Sequence, residues 1–276
     1  MTESPSTRQY LLGDSEREHD RLVRQAALLA PHTLALFRDA GLGLGQRVLD
    51  IGCGMGDVAL VAAELVGHEG EVVGADLDPA SLAKARRRAE ACGHNNIVFR
   101  ETDLAHFTDE RPFDAIVGRL ILQFMPEPVE IMRSLASVLR PGGVMIFQEA
   151  NWEALLSQVM DLPIRSKCCQ FILDSFKRSN ANVDMGFVTV RAFREIGFCE
   201  PKLRLDVPVG VDPETRRWVY DLLCAVLPRS SQYGLSTAAL GDLATLSDRL
   251  ELELTAHGGY ATCIGLTGVW SRKPSQ

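Results

Sequence analysis

The sequence predicts an α/β fold, a mostly parallel sheet with helices on both of its faces. Three observations carry this. Between residues 47 and 150, short apolar runs alternate with stretches of helical periodicity, the pattern of repeated strand–helix–strand units. A glycine-rich turn, Gly52 to Gly56, directly follows the first of these runs. Stop-and-turn signals such as Arg140-Pro141-Gly142-Gly143 close the helical stretches.

Taken in order, residues 14–40 place Leu22, Ala26, Leu29, Leu34 and Phe37 at helical spacing, and Pro31 is expected to split them into two helices. RVLDIG, from Arg47, is the first strand. A helix over 57–67 and the strand EVVGAD follow. Pro79 opens a helix over 79–92 from a favoured first-turn position. NIVFRE and FDAIVG are strands, 127–139 is a helix, and VMIFQEA is the fifth strand. After Asn151 the rhythm changes. Residues 152–178 read as one helix and 189–196 as another. KLRLDVPVG is a strand, 212–253 holds two or more helices, and YATCIGLTGVWSRK is a long closing strand. This predicts an amino-terminal helical lid over 1–45 and a catalytic domain over 46–276, with helical cap insertions around 152–190 and 212–253.

Composition narrows the partners. The 276 residues carry a net charge of -7, which argues against a nucleic-acid partner. The local basic run of Lys84, Arg86, Arg87 and Arg88 reads as a solvated helix face. No apolar run reaches the roughly 18 residues of a membrane span, so no membrane partner is expected. The opening MTESPSTRQY lacks the order of a signal peptide, which makes cytoplasmic the expected location. Seven cysteines without a C-x-x-C pair suggest neither a disulfide framework nor a zinc site.

The glycine turn raises the question of a cofactor. Asp76 ends the second strand about 20 residues after Gly56, the spacing of a carboxylate that accepts both hydroxyls of a ribose. An adenosine-bearing cofactor follows, and a dinucleotide and S-adenosylmethionine both satisfy that much. The dinucleotide fingerprint is G-x-G-x-x-G. Here the turn reads D-I-G-C-G-M-G, so the third glycine is misplaced for that pattern. Asp50, two residues before Gly52, would repel a pyrophosphate but suits an ammonium group.

Five segments, VLDIGCGMG, VVGADLDP, ETDL, FDAIVGRLILQFMPEP and LRPGGVMIF, occur in this order over roughly residues 47–147. Together they resemble the class I S-adenosylmethionine-dependent methyltransferases. The stretch YLLGDSEREHDRLVRQAALL is similar to bacterial small-molecule methyltransferases related to the ubiquinone/menaquinone-biosynthesis type. The resemblance implies a Rossmann-like, seven-stranded, mostly parallel sheet. It implies that Gly52, Gly54 and Gly56 pass under the methionine part of S-adenosylmethionine, with Asp50 ordering the loop. Asp76 would hold the ribose and Leu77 would pack on the adenine. Asp103 would accept the adenine amino group, with Leu104 beside the ring. Arg119 and Leu120 would line the methionine side, and Gln25 is a candidate for its carboxylate. One departure is Gln123, in a segment where many relatives carry a histidine.

Methyl transfer is an in-line displacement, in which the enzyme aligns the nucleophile and excludes water. An oxygen nucleophile also needs a base. Glu149, Asn151 and Trp152 follow or end the fifth strand and are candidates to meet the acceptor. His257 is the one histidine of the later half; its alternative reading is a surface-turn histidine. Tyr10 is a candidate lid residue or part of a tail. Phe171, Phe187 and Trp218 would line an apolar pocket or simply belong to the core. No N-P-P-Y-like loop follows the fourth strand, no flanking glutamate pair appears, and the next acid after Asp114 is Glu127. Nucleic-acid, protein-arginine and magnesium-dependent catechol chemistry are therefore not expected, and no metal is. The expected function is methyl transfer to a small apolar or aromatic acceptor, a specialised metabolite. The alternatives are a quinone-pathway C-methyltransferase, an NAD-dependent oxidoreductase, and a non-catalytic S-adenosylmethionine-binding protein. The amino-terminal helices would cover their own site or, in a homo-oligomer, a neighbour's.

Overall fold

The computed structural model describes residues 16–275, with side chains from Glu18 onward; Tyr10 therefore lies outside the described residues. The strands are β1 Arg47–Ile51, β2 Glu71–Asp76, β3 Ile97–Glu101, β4 Phe113–Arg119, β5 Leu139–Asn151, β6 Lys202–Asp206, β7 Val209–Gly210, β8 Ala261–Thr262 and β9 Gly265–Arg272. The α-helices are α1 Glu16–Ala40, α2 Asp57–Val66, α3 Pro79–Ala91, α4 Pro128–Ala136, α5 Trp152–Gln158, α6 Pro163–Arg178, α7 Met185–Glu195, α8 Pro213–Val226 and α9 Leu246–Ala256. Contacts divide the chain into two units. A sheet unit comprises residues 26–152, 182–208 and 264–276, and a helical unit comprises 1–25, 153–181 and 209–263.

The sheet unit is built on seven strands in the order β3-β2-β1-β4-β5-β9-β6. The first five are mutually parallel, while β9 runs antiparallel to both β5 and β6. Alternate residues of each strand face opposite sides. Val48, Val72, Ala115, Val117 and Ile146 form one core with Leu36, Phe37 and Ala40 of α1 and the buried residues of α2 and α3. Leu49, Val73, Ile116, Met145 and Phe147 form the other with Met132 and Leu135 of α4 and Ala192 and Phe193 of α7. Each fully buried Val, Leu, Ile, Phe or Met among them contributes on the order of 1.5–3 kcal/mol. Strand order reverses between β1 and β4, which opens a crevice at their carboxyl ends, the usual ligand position in an open α/β sheet.

The helical unit packs α6, α8, α9 and the first part of α1, with 3-10 turns over Leu227–Tyr233 and Thr237–Leu240. Its interior takes Cys168, Phe171 and Ile172 from α6, Trp218, Leu222 and Leu223 from α8, and Leu250 and Leu254 from α9. Phe171 and Trp218 are thus core residues of this unit. At the start of α6 the Glu253 carboxylate accepts the backbone N–H groups of Ile164 at 2.7 Å and Arg165 at 2.9 Å, capping donors that have no partner within the helix.

Several expectations are corrected. Pro31 does not divide α1: it is exposed, as is Ala27 one turn earlier, so the carbonyl left without its helical partner faces solvent. The helical stretch after Asn151 breaks instead, because Pro163 opens a new helix, α6, from its first turn. The expected strand KLRLDVPVG ends at Asp206, before Pro208. The division of contacts falls inside α1, after Gln25, and α7 packs on β5 and β9. No helix among the described residues is long and apolar enough to cross a membrane.

Candidate functional site

The glycine turn sits at the carboxyl end of β1, on the crevice. Gly52, Gly54 and Gly56 all have positive φ, at 59°, 50° and 81°, a region that glycine enters without the cost a side chain adds. The space around them differs. A Cβ on Gly52 would lie 2.3 Å from Ile121 Cδ1, so this residue is needed for internal packing. A Cβ on Gly54 would meet nothing within 4 Å. Gly54 therefore presents bare backbone to open space, where a ligand can approach.

Acids surround the turn. Asp76 accepts the Gly54 N–H at 2.8 Å through Oδ2 and the Asp78 N–H at 2.9 Å through Oδ1. Each oxygen retains a lone pair for a hydroxyl donor. Asp76 thus fixes the loop. Asp50 is buried, and its Oδ2 has no hydrogen-bond partner. Burial pushes its carboxyl well above the usual range; Arg119 opposes the shift, and Asp76 and Asp57 add to it. A cation placed here would relieve the desolvated, mutually repelling acids. Leu77, just past β2, is 66% exposed and free to cover a planar ring.

The second wall is the segment after β4. Leu120 adopts φ 55°, a strained conformation for a residue with a side chain. Neighbouring groups hold it there. Its N–H donates to Gln148 O at 2.8 Å, and its carbonyl accepts Gln123 Nε2 at 3.3 Å. Glu149, 1% exposed, accepts the N–H groups of Ile121 at 3.2 Å and Leu122 at 2.9 Å through Oε1. Its Oε2 has no partner, and burial raises the carboxyl to about 7. Arg119 Nη1 donates to Thr33 Oγ1 at 3.0 Å.

The structure brings Asp50, the three glycines, Asp76, Leu77, Arg119, Leu120, Glu149 and Asn151 into the sheet unit, at or beside strand ends. Asn151 ends β5, and its Nδ2 donates to Thr267 Oγ1 at 3.1 Å. Trp152 is buried beside it in sequence. Asp103 caps the 3-10 turn Leu104–His106 by accepting the Ala105 N–H at 3.0 Å, and remains exposed. The Leu104 side chain, expected beside the adenine ring, instead packs into the core with Phe107 and Phe113. Phe187, expected in a pocket or core, is exposed on α7. Gln25 belongs to the helical unit, where it accepts Arg21 Nη1 at 2.7 Å. His257 also belongs there: it is exposed, follows α9, and its Nδ1 donates to the Glu253 carbonyl at 2.8 Å. That is a helix-end contact.

Sequence reasoning missed four contributors. Arg88 donates to Met55 O at 2.6 Å and Arg86 to Phe99 O at 2.9 Å, so two members of the basic run brace the glycine turn and β3, while Arg86 and Arg87 remain exposed on the solvated face. Thr33 and Gln148 are fully buried polar residues linked to Arg119. Thr33 falls three residues before Leu36 and four before Phe37 on the apolar face of α1, and Gln148 interrupts the apolar run VMIFQEA; both placements were signals.

Comparison with known proteins agrees with this geometry. The family described as "Methyltransferase domain" matches residues 43–180, half of the chain. Aklanonic acid methyltransferase DauC of Streptomyces sp. (strain C5) is 37% identical over 112 residues, 40% of this chain and 50% of that protein. A ubiquinone biosynthesis O-methyltransferase of Paracidovorax citrulli is 33% identical over 113 residues, 40% of this chain and 46% of that protein. The chain spans about half the length of these curated relatives. Among solved structures, the [4+2]-cyclase SpnF superposes with a TM-score of 0.55 at 18% identity, over 90% of this chain and 82% of that one. A phosphoethanolamine N-methyltransferase of Haemonchus contortus, solved with S-adenosylhomocysteine, superposes with a TM-score of 0.53 at 18% identity, over 88% of this chain and 52% of that one. The chain belongs to the S-adenosylmethionine-dependent methyltransferases of the class I, Rossmann-like fold.

Proposed function

We propose that this protein transfers the methyl group of S-adenosylmethionine to a small organic acceptor, an apolar or aromatic specialised metabolite. The observation that carries the reading is the combination at β1. A buried carboxylate with an unpartnered oxygen, Asp50, lies under a turn whose middle glycine, Gly54, opens to empty space. S-adenosylmethionine brings two positive centres, an ammonium and a sulfonium, to such a site, and its sulfonium supplies the activated methyl group. The acceptor class draws support from the relatives, which are named for aklanonic acid and for ubiquinone biosynthesis.

In this mechanism Asp50, Asp57 and Asp76 provide a field that favours a cation, and Arg119 balances it with one positive charge. Asp76 orients the ribose and Leu77 covers the adenine. Glu149 acts through the loop: it holds residues 121 and 122 in place, so that the strained Leu120 backbone keeps its position against the methionine part. Asn151, at the mouth of β5, meets the acceptor. The rate gain comes from fixing donor and acceptor in line and excluding water. His257 serves as an α9 end group and not as a base.

The test is incubation with S-adenosylmethionine and a panel of phenols, indoles, prenylated compounds and quinols, read by mass spectrometry for the gain of one CH₂. Methylation of a panel member is the expected result. Calorimetry accompanies it: tight NAD binding with no response to S-adenosylhomocysteine would overturn the reading. The ubiquinone-biosynthesis relative, an O-methyltransferase, supports a second reading in which the acceptor is a quinone-pathway intermediate; methyl gain confined to quinols selects it, on oxygen as in that relative or on carbon for a quinone-pathway C-methyltransferase.

A further inference from the structure

We propose that Thr33 and Gln148 are positioning residues for the methyl donor, holding the Arg119 guanidinium so that it takes the carboxylate of the donor's methionine moiety. This rests on the reading of Arg119 as a donor-binding residue.

The geometry is directional. Gln148 Oε1 lies 2.7 Å from Thr33 Oγ1, and Arg119 Nη1 lies 3.0 Å from the same oxygen. A hydroxyl has one proton and two lone pairs. An amide oxygen can only accept, so Thr33 directs its proton towards Gln148, with a longer contact to Leu29 O at 3.2 Å. The lone pairs then face the guanidinium, which can only donate. The order is Gln148, Thr33, Arg119, and each member orients the next.

The fold has made room for this. Gln148 and Arg119 are register partners on β5 and β4, and Gln148 faces Gly268 on β9. A Cβ on Gly268 would lie 2.6 Å from Leu36 Cδ1. The bare glycine lets α1 come close enough for Thr33, three residues before Leu36, to reach the two strands. Thr33 and Gln148 are both 0% exposed, and Gln148 Nε2 has no partner. Burying polar groups with incomplete hydrogen bonding costs stability, and a well-packed apolar pair would be cheaper. A positioning role accounts for keeping them.

The guanidinium has five donors in a rigid fork that matches a carboxylate. Thr33 takes one through Nη1, which sets the plane of the fork. Without it, Asp50 and Asp57, the acids that act on Arg119 electrostatically, would compete for its orientation.

The test compares two probes by calorimetry on the full chain. S-adenosylhomocysteine carries the methionine carboxylate. Methylthioadenosine has the same adenosine and sulfur but lacks the amino-acid end. For Thr33→Val we expect S-adenosylhomocysteine affinity to fall about tenfold, the scale of one charge-assisted hydrogen bond. Methylthioadenosine affinity should stay unchanged, and Thr33→Ser, which keeps the hydroxyl, should retain the S-adenosylhomocysteine affinity. Steady-state assay should show a raised KM for S-adenosylmethionine with kcat retained. Arg119→Met separates the two layers. If it leaves the ratio of the two affinities unchanged, the reading of Arg119 fails, and the proposal with it. If Arg119→Met changes the ratio and Thr33→Val does not, Arg119 stands and the proposal is overturned. Equal weakening of both probes by Thr33→Val would mark Thr33 as merely structural and also overturn it. Should Thr33→Val fail to fold, Thr33→Ala carries the same comparison.

Discussion

The two units use their buried carboxylates differently. In the helical unit, buried polar groups tie off backbone. Glu253 spends both oxygens on the first N–H groups of α6, and Arg165 donates to the carbonyls of Arg216 at 3.1 Å and Thr262 at 3.2 Å. In the sheet unit, Asp50, Gln123, Gln148 and Glu149 are all buried and each keeps one polar atom without a partner. These four lie at or beside the carboxyl ends of β1, β4 and β5. Buried polar groups are normally satisfied; the helical unit has exceptions too, on nitrogens such as Arg165 Nε and Trp218 Nε1, but the unpartnered oxygens of Asp50 and Glu149 lie in the sheet unit. The difference lies in the carboxylates: Glu253 uses both oxygens on the backbone of α6, whereas Asp50 Oδ2 and Glu149 Oε2 have no partner.

That contrast can be broken or sharpened by substitution. The largest effect is expected from Glu253→Leu, which strips two charge-assisted hydrogen bonds from α6 and should cost about 3 kcal/mol in denaturant unfolding. S-adenosylhomocysteine affinity, measured on the folded variant, should not change; a parallel loss would erase the distinction between the units. Glu149→Gln comes next and acts through pH. The folded carboxyl titrates at about 7, above its unfolded value. Between those values the folded state binds more protons than the unfolded one. Stability is therefore greatest at acidic pH and falls as pH rises through 7, by up to about 3 kcal/mol from this group. Glutamine keeps the Oε1 acceptor and cannot ionise, so the decline in unfolding free energy between pH 4.5 and 7 should shrink. An identical slope would remove Glu149 as its source.

Asp50→Asn should behave in opposite directions for fold and function. It removes a carboxyl whose ionised form is penalised by burial, so the fold no longer carries that cost as pH rises. It also removes the field for the donor's cation, weakening S-adenosylmethionine binding by about 2 kcal/mol. Calorimetry and thermal unfolding on the same preparation decide it; unchanged affinity would take Asp50 out of the site. His257→Ala is expected to do least. It loses one helix-end hydrogen bond, about 0.5–1 kcal/mol, and should keep full turnover. A large loss of kcat would return His257 to the chemistry.

Much of the sheet unit was legible in advance because its signals are local. Alternation of apolar runs with helical periods placed five parallel strands, and the glycine turn followed directly on the first of them. Contacts between residues far apart in sequence were not legible. The partnership of Thr33, Arg119 and Gln148 spans more than a hundred residues, and no spacing rule reaches that far. The side chain of Leu104 turns into a core that also holds Leu49, Val73 and Ile116, residues of strands distant in sequence. Pro31 shows the limit of a local rule, because an exposed proline costs a helix only the bond that solvent can replace.

The sequence by itself determined the fold class, the methyl-donor class and the identity of the loop residues, since backbone conformation, strand alternation and motif spacing are properties of neighbours along the chain. Tertiary structure alone decided which acids are buried, which polar atoms stay unpartnered, and how Leu120 is held in a strained turn. Those depend on desolvation and on hydrogen bonds between strands and helices brought together only by folding. Gly54 shows both: the residue type was written in the motif, and the open space in front of it exists only once β1, β2 and β4 are assembled.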